Sequence, residues 1–217
     1  MTTHGSSRLR WTGTALSLAG VLTFALNVAL TPALQADVPF AESAASTAFL
    51  WRQALSAVTA VLLLFGALGV HLRHSERAGR FGLIAFLVAT VGSALLLAQE
   101  WNQVFFVRDL AVRAPDLLNE LDGEDALSLS DLGALISFTV FSLGWIALAA
   151  AALRGRAFAR MGPLLVIAGF FVTPILGAAL PGVLGVILGN GVLGAGWFVM
   201  GREVSRAEGA PSLVWRR

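Results

Sequence analysis

Apolar residues run along this chain in six long blocks separated by short polar stretches. An α-helix rises about 1.5 Å per residue, so about 20 consecutive apolar residues cross the hydrocarbon core of a bilayer. Blocks of that length predict helices over about 11–33, 45–72, 81–104, 132–153, 161–180 and 182–201. The expected fold is all-α, a membrane bundle of about six transmembrane helices making a single domain over 1–217.

The polar stretches carry the orientation. Taking alternate connections together, one set holds Arg8 and Arg10; Arg73, Arg77 and Arg80; Arg154, Arg156 and Arg160; and Arg202, Arg206, Arg216 and Arg217. The other set holds Arg52, Arg108 and Arg113 and most of the acids. Basic residues accumulate on the cytoplasmic side of membrane proteins, so both termini are expected inside, an N-in/C-in topology. A cleaved signal peptide is the competing reading of the first block, but the region around Leu34 to Ala36 lacks a small-x-small pattern. The one long connection, 107–130, is expected outside. Pro115 suits a first helical position and Asp116 a first turn. Leu117, Leu118 and Leu121 would then share the face of a short interfacial helix. Asp122, Gly123, Glu124 and Asp125 follow as a solvated acidic turn, and Ser130 or Asp131 is expected to cap the fourth helix.

Composition agrees with a lipid-facing surface. The 217 residues are 57% hydrophobic and 13% charged, against roughly 25% charged in a soluble domain. Cysteine is absent, which removes disulfides and thiolate metal sites. All 15 basic residues are arginine, so no lysine can form a Schiff base. With a net charge of only +2, no nucleic-acid partner is called for; membrane lipid is the expected surrounding.

Packing signals concentrate in the last two blocks. Helices in lipid associate through small residues, and Gly185 and Gly189 form a GxxxG pair. They serve either close packing of helices five and six or contact with another subunit of a larger complex. Pro174 should bend the fifth helix. The second and fourth connections, Leu72–Arg73 to Gly82 and Leu153–Arg154 to Gly162, read alike and suggest a duplicated hairpin.

Polar residues inside a span are functional candidates by default. Arg52, Glu100, Gln103 and Asn27 fall at one level, near the outer side, with Gln99, Asn102, Gln53 and Ser56 close by; Asn190 sits near the middle of helix six. Three readings stand. Arg52 and Glu100 form a structural pair. Alternatively they floor a ligand pocket lined by Trp51, Trp101, Phe105 and Phe106. Or Glu100 acts as the acid or base of an enzyme. His71 and His74, three residues apart, read as solvated residues of a basic loop, with no metal and no cofactor expected. No HExxH, Walker A loop, aspartate-rich motif or intramembrane Ser–His dyad occurs.

The polar start at Ala44, Arg52, the Leu72–Arg73 to Arg80–Gly82 connection, the Gln99–Glu100–Trp101 end, Arg113–Ala114–Pro115–Asp116 and Leu153–Arg154 together resemble small multi-pass membrane proteins of GC-rich actinobacteria and related bacteria. That resemblance implies a bacterial cytoplasmic-membrane location and brings no activity. A remoter similarity is to small membrane terpene cyclases, of comparable length with acids at helix ends, which implies an isoprenoid-like substrate for Glu100. The leading expectation is a protein that binds a lipophilic small molecule or lipid headgroup through Arg52, Glu100, Gln103, Asn27 and Trp101.

Overall fold

The computed structural model describes residues 3–34, 38–122 and 129–206. Among these there is no strand. The elements are α1 (Thr3–Ala29), α2 (Phe40–Ala45), α3 (Thr47–Asn102), α4 (Arg108–Arg113), α5 (Pro115–Asp122), α6 (Leu129–Arg154), α7 (Met161–Ala179) and α8 (Leu184–Arg206). Six stretches are long and apolar enough to cross a membrane: Leu9–Ala33, Thr47–His74, Arg77–Arg113, Asp131–Arg154, Met161–Ala179 and Leu184–Arg206. The chain is a multi-pass helical membrane protein, and side chains such as Phe65, Leu87, Phe171 and Ile175 stand exposed on the outside of the bundle, where lipid would meet them.

α3 supplies two of the spans. Ser46 caps its start, its hydroxyl accepting the Phe49 amide at 3.1 Å, so an N-terminal donor is satisfied. The two arms meet at Gly79, whose φ of 55° and ψ of −146° lie in a region open essentially to glycine alone. One residue therefore reverses a run that is otherwise helical from 47 to 102, in place of the longer connection expected between 72 and 81. The corresponding reversal between α6 and α7 uses a non-helical stretch in which Arg156 takes the positive φ, 49°. The two hairpins thus differ in construction despite their similar sequences.

The six spans close into a ring in the order α1, N-terminal arm of α3, C-terminal arm of α3, α6, α7, α8, with α8 packed back on α1. Small residues bring most of these neighbours together. A methyl group at Gly92 would lie 2.4 Å from Phe141 Cα, and one at Gly20 would lie 2.3 Å from the Gly194 carbonyl oxygen. Gly66 faces Leu16 in the same way. Gly185 and Gly189 press on Leu176 and Thr173 of α7, so the GxxxG pair packs the fifth and sixth spans together. α7 continues as helix through Pro174.

Two ends can be told apart. The basic end gathers the start of α1, the Gly79 turn, the α6–α7 connection and the end of α8; Ser205 of α8 reaches the Arg10 carbonyl of α1 at 3.4 Å. The opposite end carries a small cap. Ala41 and Ala44 of α2, Phe49 of α3, Val107, Ala111 of α4 and Leu118 of α5 form a second apolar cluster. Asn119 ties the cap by accepting the Ala41 amide at 2.9 Å. Part of the expected outer loop is therefore helix. The third span runs on to Arg113 through a π-helical turn, Gln103–Val107, and α5 starts at Pro115 as expected. Leu118 turns onto the cap, while Leu117 and Leu121 stay exposed. α6 begins at Leu129, so Ser130 and Asp131 lie in its first turn and not at its cap. The expected acidic turn falls mostly at 123–128, outside the described residues.

Candidate functional site

A cavity of about 260 Å³ lies inside the ring, and all six spans contribute to it. α1 brings Thr23, Leu26 and Asn27; the two arms of α3 bring Arg52, Ser56, Thr59 and Leu63, then Leu96 and Glu100. From the other side come Phe138 and Phe141 of α6, Phe170 and Thr173 of α7, and Asn190, Leu193 and Trp197 of α8. The cavity is amphipathic along its length. Charged and amide groups sit toward the capped end. Toward mid-bundle the wall becomes aromatic, with Phe141, Phe170 and Trp197 meeting edge to face at 5.7–6.3 Å between ring centroids.

Most polar groups in the wall are satisfied locally. Thr59 and Thr173 donate back to carbonyls one turn earlier, at 2.9 and 2.7 Å, the ordinary resolution for a hydroxyl in an apolar helix. Asn190 does the same to Val186 at 2.9 Å. A relay joins two helices: Arg52 Nε donates to Thr31 Oγ1 at 3.3 Å, Thr31 donates to Asn27 Oδ1 at 3.2 Å, and Asn27 Nδ2 donates to the Thr23 carbonyl at 2.8 Å. Arg52 Nη1 donates to Gln53 Oε1 at 2.6 Å.

Two groups are different. Glu100 Oε2 is buried without a hydrogen-bond partner, and so is Trp197 Nε1. Arg52 and Glu100 line the same cavity, yet Arg52 is engaged with Thr31 and Gln53, and the two charges make no contact ion pair. A buried polar group left unpaired is costly, roughly 1–3 kcal/mol and more for a charge. Trp145 supplies the control. It packs against Trp197 at 5.4 Å, but its Nε1 donates to Ser93 Oγ at 3.1 Å. Of two neighbouring indoles, the one without a protein partner is the one that lines the cavity. Pro174 adds to this: with no N–H, it cannot bond the carbonyl of Phe170, four residues back in the cavity wall.

The structure brings together Arg52, Glu100 and Asn27, as the shared level in the sequence implied, and adds Ser56 and Asn190. It does not bring in Gln103 or Trp101. Gln103 starts the π-helical turn, and its Oε1 is buried outside the cavity without a partner. Trp101 is 60% exposed and packs at a tilt against Phe105, 4.5 Å between ring centroids, on the outer surface of the bundle. Trp51, Phe105 and Phe106 are exposed too, so the aromatic lining expected from them comes instead from Phe138, Phe141, Phe170 and Trp197. Only Asn190 among the groups near mid-span carried a sequence signal; a Phe or Thr in an apolar block looks like any other core residue.

At the basic end the histidines depart from expectation. They are helical, not in a solvated loop, and His74 is 1% exposed. His74 Nδ1 contacts the Val70 carbonyl, and His71 stacks on Phe86 at 4.5 Å. Among the described residues no group of three or more His, Cys, Asp or Glu is placed to hold a metal ion. No protein-family model, curated protein or solved structure matches the chain.

Proposed function

We propose that this protein binds a small amphipathic molecule in the cavity between its six spans, polar head toward Arg52 and Glu100 and apolar part toward Phe141, Phe170 and Trp197. The observation that carries the reading is the unpaired state of Arg52 and Glu100 in one cavity. Opposite charges in a low-dielectric interior attract strongly, so two that line one space without joining favour a third group between them. Ligand sites are commonly concave, mostly apolar, and furnished with a few convergent polar groups. At about 260 Å³ the space suits a headgroup or a ring, not a whole two-chain lipid. On the arginine distribution, the basic end is cytoplasmic, both termini are inside, and the site lies toward the outer leaflet. A bacterial cytoplasmic membrane is the location the sequence resemblance favours.

The test is mass spectrometry of molecules extracted from the protein purified in lipid nanodiscs. Wild type should carry a stoichiometric non-bilayer molecule that Arg52→Ala and Glu100→Gln each lose or reduce. Bulk phospholipid alone in all three samples would leave the two charges with a structural role only. A second reading, an enzyme acting on an apolar substrate, is favoured by the same free oxygen of Glu100. It predicts that Glu100→Gln accumulates the bound molecule unconverted, where simple binding predicts its loss.

A further inference from the structure

Of the seams between separate helices of the ring, that between α6 and α7 is the slackest. The glycines of these two helices press on other partners: Gly144 on Ala89 of α3, Gly162 on Met200 and Gly169 on Leu193 of α8. None draws α6 and α7 together. At the basic end the two are tied by the short connection through Gly155 and Arg156. Toward the capped end they are not joined in sequence, since α6 there follows the 123–128 segment and α7 leads into α8. Midway, Phe141 meets Phe170 across the seam. One turn nearer the cap stands Phe138, which lines the cavity and is 57% exposed. The facing stretch of α7 holds Pro174, where one helical hydrogen bond is missing.

We infer that the ligand reaches the cavity sideways from the membrane, through the α6–α7 seam with Phe138 as its gate, and that it is a single-chain amphiphile with a planar, hydroxyl-bearing head. This rests on the binding reading above. A hydroxyl both donates and accepts, so one group meets the demand of the unpartnered Glu100 oxygen for a donor and accepts from a guanidinium N–H of Arg52 beyond those given to Thr31 and Gln53. A phosphate head would satisfy Arg52 and be repelled by Glu100. The edge-to-face floor of Phe141, Phe170 and Trp197 accommodates a planar ring. The cavity has no room for a long chain as well, and the seam at Phe138 lets one trail into the lipid. The cap at the end of the bundle, tied by Asn119, plays no part in this route.

The probe is tritiated 4-nonylphenol, bound to the protein in immobilised nanodiscs and chased with unlabelled 4-nonylphenol, with empty nanodiscs subtracted. Wild type should hold a saturable, stoichiometric amount. Phe138→Ala should speed both uptake and release, and Phe138→Trp should slow both, each by about tenfold. Asn119→Ala, which loosens the cap, should leave the rates alone. Rates that follow Asn119→Ala and ignore Phe138 would overturn the lateral route while leaving the binding reading intact. Phe138 variants that alter occupancy alone would make this residue a wall and not a gate. No saturable retention by wild type would reject the proposed head, and the extraction experiment above then decides separately whether any ligand is bound.

Discussion

The two ends of the bundle treat a semi-buried arginine in opposite ways. At the basic end Arg73 donates through Nε to the Ala157 carbonyl at 2.8 Å and through Nη1 to the Glu203 carbonyl. Its guanidinium also lies 4.9 Å above the Phe158 ring. Glu203 in turn accepts the Ala159 amide at 2.9 Å. One side chain therefore ties the N-terminal arm of α3 to the α6–α7 connection and to α8, and the nearby carboxylate is used. At the other end Arg52 is held by Thr31 and its own neighbour Gln53, while the carboxylate it faces across the cavity keeps an unpartnered oxygen. The chain can saturate an arginine where it builds a joint. That it leaves Glu100 unsaturated beside a cavity is the contrast on which the proposed binding site rests.

This contrast breaks first if Arg73 is not the stronger structural residue. Arg73→Ala removes two hydrogen bonds from a charged donor, each worth about 1.5–3 kcal/mol, so chemical unfolding in detergent should show a loss of about 3 kcal/mol. Arg52→Ala should cost less, about 1 kcal/mol in the same assay, because its partners Thr31 and Gln53 keep other options. Its main effect should fall on bound-molecule retention. The paired indoles sharpen the comparison further. Trp145→Phe and Trp197→Phe each lose part of a buried, packed ring. Trp145→Phe also loses the hydrogen bond to Ser93 Oγ, which keeps its own bond to the Ala89 carbonyl, and should cost about 1 kcal/mol more than Trp197→Phe, which deletes a donor that has no partner. Equal losses for the two indoles would mean that Trp197 has a protein partner. The smallest effect is Glu100→Gln, which removes an uncompensated buried carboxylate and should leave the unfolding midpoint unchanged or slightly raised. A clear fall would show that this carboxylate works as a structural partner.

Depth was legible in the sequence; direction was not. Counting residues from a helix end gives height at about 1.5 Å each, which put Asn27, Arg52 and Glu100 at one level and found three cavity residues. The same count grouped Trp101 with Glu100, although neighbouring residues on a helix point about 100° apart, and Trp101 faces outward. Gln103, three residues on, should have shared the Glu100 face, but the π-helical turn that begins there alters the register. The six spans were readable because a bilayer imposes a length, and Gly185 and Gly189 were readable as packing residues because only close approach explains so many glycines. Their partner was legible only as one of two, helix five or another subunit, since small residues announce contact without fixing its other side; in the chain they meet Leu176 and Thr173 of α7. Buried His74 shows the remaining limit: a histidine flanked by arginines in sequence lies on the inward face of its helix.

The ring closes by joining its first helix to its last. Ser17 of α1 donates to the Phe198 carbonyl of α8, 181 residues along the chain, and Gly13 and Gly20 of α1 are shaped to receive α8. A ribosome adding about 5–20 residues per second needs roughly 10–40 s to bridge such a gap. For that interval the first helix stands in the bilayer with its glycine face bare, held only by the N-terminal arm of α3. α8 is therefore the span that completes the wall of the cavity, and a chain cut short before it would lack Asn190, Leu193 and Trp197 from that wall.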